Sequence, residues 1–308
     1  MICEPAVAFD LNDNNQTLKK NIESDVEKGW KAMLSLLFRD RGDKTVIKDR
    51  QQKGPLAIQR PLYPEGKTCH TYLLHPPGGV VGGDALQISA RVEQGAHALV
   101  TTPGATKFYR SEKRYAHQKQ ILHVEGGGLL EWLPQENIFF PDAHARLDTE
   151  IHLDTEIHLD RDALFVGWEM HCFGRPALNE GFSSGHLVGK TEVYRDGRKI
   201  LTEGLNILGG DKSMIEKGLL NFSLAGTLYI SVENEDFFQL VQSLLSNIQQ
   251  EVGTEDLVIA ATQIEELVVV RALGRWSEVI LESFQQVWQQ ARQYWTGETP
   301  QPPRIWAT

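Results

Sequence analysis

Two Cys/His doublets, Cys69-His70 and His171-Cys172, are the residues of this chain whose types best suit a borderline metal ion. Thiolate and imidazole both favour nickel, copper or zinc. In a strand, neighbouring side chains point to opposite faces, so each doublet can lend one member to a site but not both. The other reading is an inert buried thiol beside a hydrogen-bonded histidine. A second set of donors runs from Leu147 to Asp160, where Asp-Thr-Glu-Ile-His-Leu occurs twice without change, at 148–153 and 154–159. Period-two alternation puts Leu147, Thr149, Ile151, Leu153, Thr155, Ile157 and Leu159 on one face and the acids and histidines on the other. Six is even, so the repeat keeps every side chain on its face, and lengthening a strand could accommodate the duplication. The polar face is either a ladder of metal donors or, more commonly, a solvated sheet surface.

The run His75-Pro76-Pro77-Gly78-Gly79-Val80-Val81-Gly82-Gly83-Asp84 is a shaped turn, because four glycines supply positive φ and two prolines freeze it. It nearly has phosphate-loop spacing, but Asp84 stands where that loop needs Lys, and a carboxylate repels polyphosphate. Asp84 is therefore either part of a cation or protein contact or a cap for its own turn. Thr101 to Ser111 places Lys107, Tyr109 and Arg110 after a Pro-Gly turn, a composition typical of protein-contact loops. Gly204 to Ser213 approaches a Walker sequence with its lysine displaced, which leaves it a turn after a strand. No Gly-x-Ser-x-Gly, His-Glu-x-x-His or completed triad is present, so the sequence supplies no catalytic constellation.

Most of the elements that must position these residues read as strands. Residues 1–28 are polar and read as a flexible N-terminal extension, and 29–308 as a single domain. Period two dominates from Trp30 to about Ser231. A loose repeat at Val92, Val124 and Leu159 (strand, acid, small-residue turn, strand), spaced 32 and 35 residues, suggests stacked β units of the solenoid kind. An α+β portion follows from about 232. Asp236 and Gln239 resemble a capping box ahead of the stripe Phe237, Leu240, Val241, Leu244, Leu245, Ile248 and Val252, which Gly253 stops. A strand is expected at 267–272. Ser277 is placed as cap of a second helix carrying Val279, Ile280, Phe284, Val287, Trp288, Ala291 and Trp295. These stripes are core in the simplest reading, while Trp288, Trp295 and Trp306 could also form an aromatic partner site.

With 41 acids against 31 bases, a formal charge of -10 and no strong basic cluster, nucleic acid is an unsuitable partner. No apolar run approaches the ~20 residues of a membrane span, the start lacks a basic signal region, and a cytoplasmic protein is expected. Three scattered cysteines with no CxxC give neither a disulfide framework nor a structural zinc site.

The loop 75–84, Thr101 to Ser111, the run LEWLPQENIFFPDAHARL at 130–147, Gly-Arg-Pro at 174–176 and Pro-Arg-Ile-Trp at 303–306 together resemble the urease accessory protein UreD family, called UreH in some organisms. The resemblance runs from about Trp30 to the C-terminus. It implies a non-enzymatic urease maturation chaperone with a β-helical fold and appended C-terminal helices. It implies binding to UreF, through it to the GTPase UreG, and docking on apo-urease so that nickel reaches the active site. By position it points to Cys69, His75, Asp84, Lys107, Arg110, Glu136, Asp142, Arg175 and Glu203, with Glu169 and Asp211 as further acids. Of these, Asp84, Asp142, Glu203, Glu169, Cys69 and His75 are expected along a transient Ni²⁺ path, with no tightly bound cofactor. Lys107, Tyr109, Arg110, Trp288, Trp295 and Trp306 are expected at partner contacts. The second sextet and the N-terminal extension inherit no role. Rival expectations are a β-solenoid hydrolase of carbohydrate, using a carboxylate pair such as Asp84 and Asp142, and a nickel-storage protein.

Overall fold

The structure is a computed structural model that describes residues 29–156 and 161–307; the expected extension 1–28 and residues 157–160 of the second sextet lie outside it. Twenty strands are described. They are β1 (Lys31–Asp40), β2 (Thr45–Lys53), β3 (Ala57–Ile58), β4 (Cys69–Leu74), β5 (Ala85–Val92), β6 (His97–Thr101), β7 (Thr106–Phe108), β8 (Ala116–Val124), β9 (Leu129–Leu133) and β10 (Asn137–Phe139). They continue with β11 (Ala143–Leu153), β12 (Thr155–Glu156), β13 (Arg161–Asp162), β14 (Leu164–Arg175), β15 (Glu180–Gly181), β16 (Gly185–Arg195), β17 (Arg198–Leu208), β18 (Leu224–Ile230), β19 (Leu257–Ile264) and β20 (Leu267–Gly274).

These strands wind as a coil, mainly β as the sequence pattern indicates. One sheet stacks β1, β5, β8, β11 and β16 in parallel, with β2 and β17 antiparallel at its edges. The facing sheet stacks β4, β6, β9 and β14 in parallel and continues antiparallel through β18, β20 and β19. A short third face pairs β7, β10 and the C-terminal half of β14. Its register stacks Phe108, Phe139 and Phe173, with ring centroids 5.0 and 6.4 Å apart. Parallel stacking brings like residues over like, which is why a coil can bury one apolar column per position. The column Leu36, Ala90, Leu122, Ile151 and Val193 is one such, inside the coil.

The repeat corrects the expectation for the duplicated sextet. At the start of each corner, Val92, Val124 and Leu153 are in register, 32 and 29 residues apart. After the corner, His97, Leu129 and Leu164 are in register, 32 and 35 residues apart. The six-residue difference is the second sextet, extruded at the corner rather than added to the strand. The corner turns close alike: Ala96 N donates to Glu93 O (3.0 Å), Gly128 N to Glu125 O (2.8 Å) and Ala163 N to Asp154 O (3.0 Å). Two residues lie inside each of the first two turns, whereas the third is longer, and its described ends, β12 and β13, pair antiparallel. A longer strand was not available because its neighbours stop: β8 ends at Val124, and β16 turns at Asp196-Gly197. Six more residues would have had no ladder partner. The facing prediction holds for the first copy, where Leu147, Thr149, Ile151 and Leu153 are buried.

Two helices cover the outer face of the second sheet, α1 (Glu235–Val252) and α2 (Ser277–Thr296). Asn234, not Asp236, caps α1, its side chain accepting from Phe237 N at 2.8 Å, and Gly253 at φ 89° ends it. Trp276 occupies the N-cap of α2 without a side-chain bond, so the expected Ser277 cap is corrected too. Strand β19 went unread in the sequence, since Leu257 to Ile264 mixes small and polar residues at an edge. Trp168, Met170, Leu228, Val241, Phe284 and Trp288 join the core under the helices. Trp288 is fully buried and is therefore a core residue rather than a partner contact. Trp295 and Trp306 are half-buried against the same core, and Trp306 Nε1 donates to Thr101 Oγ1 at 2.8 Å.

Candidate functional site inside the coil

The interior between the two sheets is apolar except along one line. On β14 the inward positions are Phe165, Gly167, Glu169, His171 and Phe173, alternating with Val166, Trp168, Met170 and Cys172 on the helix side. Glu169 and His171 therefore occupy positions where a coil of this kind would place apolar side chains. Glu169 accepts one hydroxyl bond from Thr149 on β11 and another from Thr191 on β16, the latter at 2.6 Å. Both threonines are buried. Neither partner carries a charge, and Lys190, which lines the same cavity, is tied to Glu192.

A cavity of about 120 Å³ opens beside these residues, lined by Glu169, His171, Thr191, Glu203 and Tyr229. At its edge Glu203 on β17 accepts from Tyr229 Oη at 2.8 Å and from Arg271 Nε at 2.7 Å. Burial raises Tyr229 well above its ordinary pKa, helped by Glu169 and Glu203, so the phenol stays protonated and donates. Burial lowers the pKa of His171 while Glu169 opposes the shift, which leaves the ring neutral near pH 7.

A second cavity, of about 170 Å³, lies at the meeting of the two sequence loops and is lined by His75, Gly79, Thr106, Lys107 and Gln118. The loops interlock: Val80 N donates to Lys107 O (2.7 Å) and Tyr109 N to Val80 O (2.9 Å). Glycine is required at 79, because a Cβ there would meet the Tyr109 ring at 2.1 Å. Burial lowers the pKa of His75, with the charge of Asp84 opposing. From this cavity a file of buried polar groups leads to the first. Gln118 and Gln120 share the inward face of β8, Gln120 Nε2 lies 3.4 Å from Thr149 Oγ1, and Thr149 bonds Glu169.

The expected site residues divide accordingly. Glu169 and Glu203 meet at one cavity, and His75 with Lys107 at the other. Asp84 is committed to its loop, its two oxygens accepting Trp30 N (3.2 Å) and Val81 N (3.1 Å). The self-capped turn is therefore the correct reading of that carboxylate, and the hydrolase rival loses one of its two acids. Asp142 is exposed, in a left-handed conformation (φ 65°) at a corner. Glu203 is not the isolated acid expected for a conduit, since it carries Arg271. Cys69 is buried with Thr71 and burial raises its pKa. Burial likewise pushes the Cys172 thiol up to about 12. Both sulfurs are protonated at neutral pH, as in the inert reading of the doublets. Burial also raises Glu136, Arg175 pairs with Glu180, and Asp211 caps Ser213 N and Met214 N. Lys107 and Arg110 are exposed, and Tyr109 packs on Phe140. Among the described residues no three His, Cys, Asp or Glu side chains are grouped so that they could hold a metal ion.

Sequence reasoning did not find Thr149, Thr191, Tyr229 or the glutamines of β8. It also missed a second polar cluster, on the helix side of the second sheet. There Arg292 of α2 makes a two-pronged pair with Glu131 of β9 and reaches Glu65 at 3.1 Å. His70 Nε2 lies 3.1 Å from the same Glu65 oxygen, and His97 Nε2 lies 3.7 Å from Glu131. Burial opposes ionisation of Glu131, but His97 and Arg292 outweigh it and hold the carboxyl at about 2.

The chain is 46% identical over 284 residues to the urease accessory protein UreD of Aliivibrio fischeri (strain MJ11), covering 91% of this chain and 97% of that one. Against the Escherichia coli protein of the same name the identity is 44% over 281 residues, with 91% and 98% covered. The Klebsiella aerogenes protein of that name is 41% identical over 283 residues, with 92% and 98% covered. No helix is long and apolar enough to cross a membrane among the described residues. The family described as UreD urease accessory protein matches residues 31–307, and the chain belongs to it.

Proposed function

We propose that this protein acts in urease maturation as a scaffold with a polar passage. It binds UreF, engages the GTPase UreG through it, docks on apo-urease and passes nickel along the interior of its coil. The observation that carries the passage is the file Gln118, Gln120, Thr149 and Glu169, which joins two cavities through an otherwise apolar interior. Carboxylate, hydroxyl and amide oxygens hold a divalent ion at few points, so the ion can leave again. The exposed Lys107 and Arg110, with Tyr109 between them, suit the contact with a partner protein.

The test is to introduce E169Q/E203Q in a urease-positive host supplied with nickel. Urease activity is expected to fall while the variant stays folded and still retains UreF in a pull-down. Full urease activity in the variant overturns the passage, and failure of the wild-type chain to retain UreF or apo-urease overturns the scaffold.

A further inference from the structure

We propose that His171 is the nitrogen donor that makes the inner cavity select a borderline first-row cation over hard ones such as Mg²⁺. The inference rests on the nickel passage above and names the residue that would give it specificity. Lys190 also lines the cavity, with its ammonium tied to Glu192 at 2.5 Å; besides it and His171, the polar atoms offered by Glu169, Thr191, Glu203 and Tyr229 are oxygens. Carboxylate and hydroxyl oxygens are the ligands that Mg²⁺ and Ca²⁺ take, so they hold a divalent ion without choosing nickel. Imidazole tips the preference toward nickel, copper and zinc.

The placement of the ring supports this. Glu169 and His171 stand two residues apart on the same face of β14, which at about 3.3 Å per residue puts their Cβ atoms roughly 6 to 7 Å apart. Two side chains at that spacing can share one ion. Across the ladder, His171 faces Ala225 of β18, a small residue that lines the same cavity and leaves space beside the ring. His171 keeps part of its surface accessible although it lies within the fold. Its Nδ1 lies 3.5 Å from the side-chain Nδ2 of Asn137 on β10. Turning that amide over would bring its carbonyl oxygen to Nδ1–H and leave Nε2 as the donor atom, the usual outer support of a metal-binding histidine. The other histidines with ring contacts on the first sheet, such as His123 and His152, sit on its outer face and are partly exposed.

The experiment uses the purified full chain with Ni²⁺ alone and with Ni²⁺ against excess Mg²⁺, read by equilibrium dialysis and nickel-edge X-ray absorption. H171Q is expected to weaken Ni²⁺ binding by at least about tenfold, the loss usual when a metal site is stripped of a supporting group. Its absorption spectrum should lose imidazole scattering relative to H123Q, and Mg²⁺ should compete more effectively. E169Q/E203Q should weaken both ions. Should H171Q fail to fold, N137A keeps the ring but removes its support, and weaker Ni²⁺ with unchanged Mg²⁺ is expected. Ni²⁺ binding and spectrum unchanged in H171Q, or in N137A where that variant replaces it, while E169Q/E203Q binds poorly, overturns the role of His171 and leaves the passage standing. Binding unchanged in all variants overturns both.

Discussion

Two buried carboxylates, Glu131 and Glu169, lie on neighbouring parallel strands of one sheet and face opposite ways. Glu131 points to the helices and is gripped by Arg292, with His97 beside it. Glu169 points into the coil and is held by two threonine hydroxyls beside a void. The first is neutralised and sealed, so its charge serves to fasten α2. The second is held by uncharged hydroxyls, and a carboxyl group so placed beside open space is a place for a cation to visit. Burial alone therefore does not mark a functional acid; the charge of its partners does.

The comparison is broken most severely at the sealed end. Arg292→Met leaves Glu131 buried with only the more distant His97 beside it, and a loss of about 3 to 5 kcal/mol is expected in denaturant unfolding; a variant as stable as the wild type would show that the pair does not hold the helix. Acid should act on the same group. The folded-state pKa of Glu131, about 2, is below its ordinary value of 4.5, so its contribution is present above about 4.5 and is lost as pH falls toward 2. Melting temperatures measured across that window should drop more steeply for the wild type than for Glu131→Gln. At the open end Glu169→Gln accepts from one threonine through its carbonyl oxygen and donates to the other hydroxyl through its NH2, so a cost near 1 kcal/mol is expected, small beside its effect on urease activation. Tyr229→Phe removes one hydrogen bond to Glu203 and should cost about 1 kcal/mol, with the Arg271 pair retained. Smallest of all is deletion of residues 154–159, after which Asp160 takes the place of Asp154 and the corner regains the two-residue turn of the others. Each halving of a loop returns only about 0.6 kcal/mol, and the Thr155 bonds to Asp196 are lost, so thermal stability should move by about 1 kcal/mol or less.

Much of the coil was legible because its signal is local. Alternation at Leu147 to Leu153, the acid-and-small-residue corners and the stripe of α1 each depend on neighbours in sequence. The cavities were not legible, because they are made by register between distant strands. Glu169 receives Thr149 and Thr191 from strands 20 and 22 residues away, and Glu203 receives Arg271 from 68 residues on. The sextet misled for a related reason: its period permitted a longer strand, and only the lengths of β8 and β16 forbid one. Asn234 lost to Asp236 as the expected cap because both are good caps and backbone geometry decides between them. Trp288 was read both as core and as a partner contact, and the fold buries it; an aromatic stripe looks alike on either side of a sheet.

The fastening of α2 also sets a schedule for biosynthesis. Arg292 leaves the ribosome 227 residues after Glu65 and 161 after Glu131. Through most of translation the coil carries two acids and two imidazoles with no guanidinium to join them, on a sheet face still bare of its helices. A nascent chain arrested before α2 emerges would therefore display a sticky, acid-studded flank, which α2 closes once it has been made.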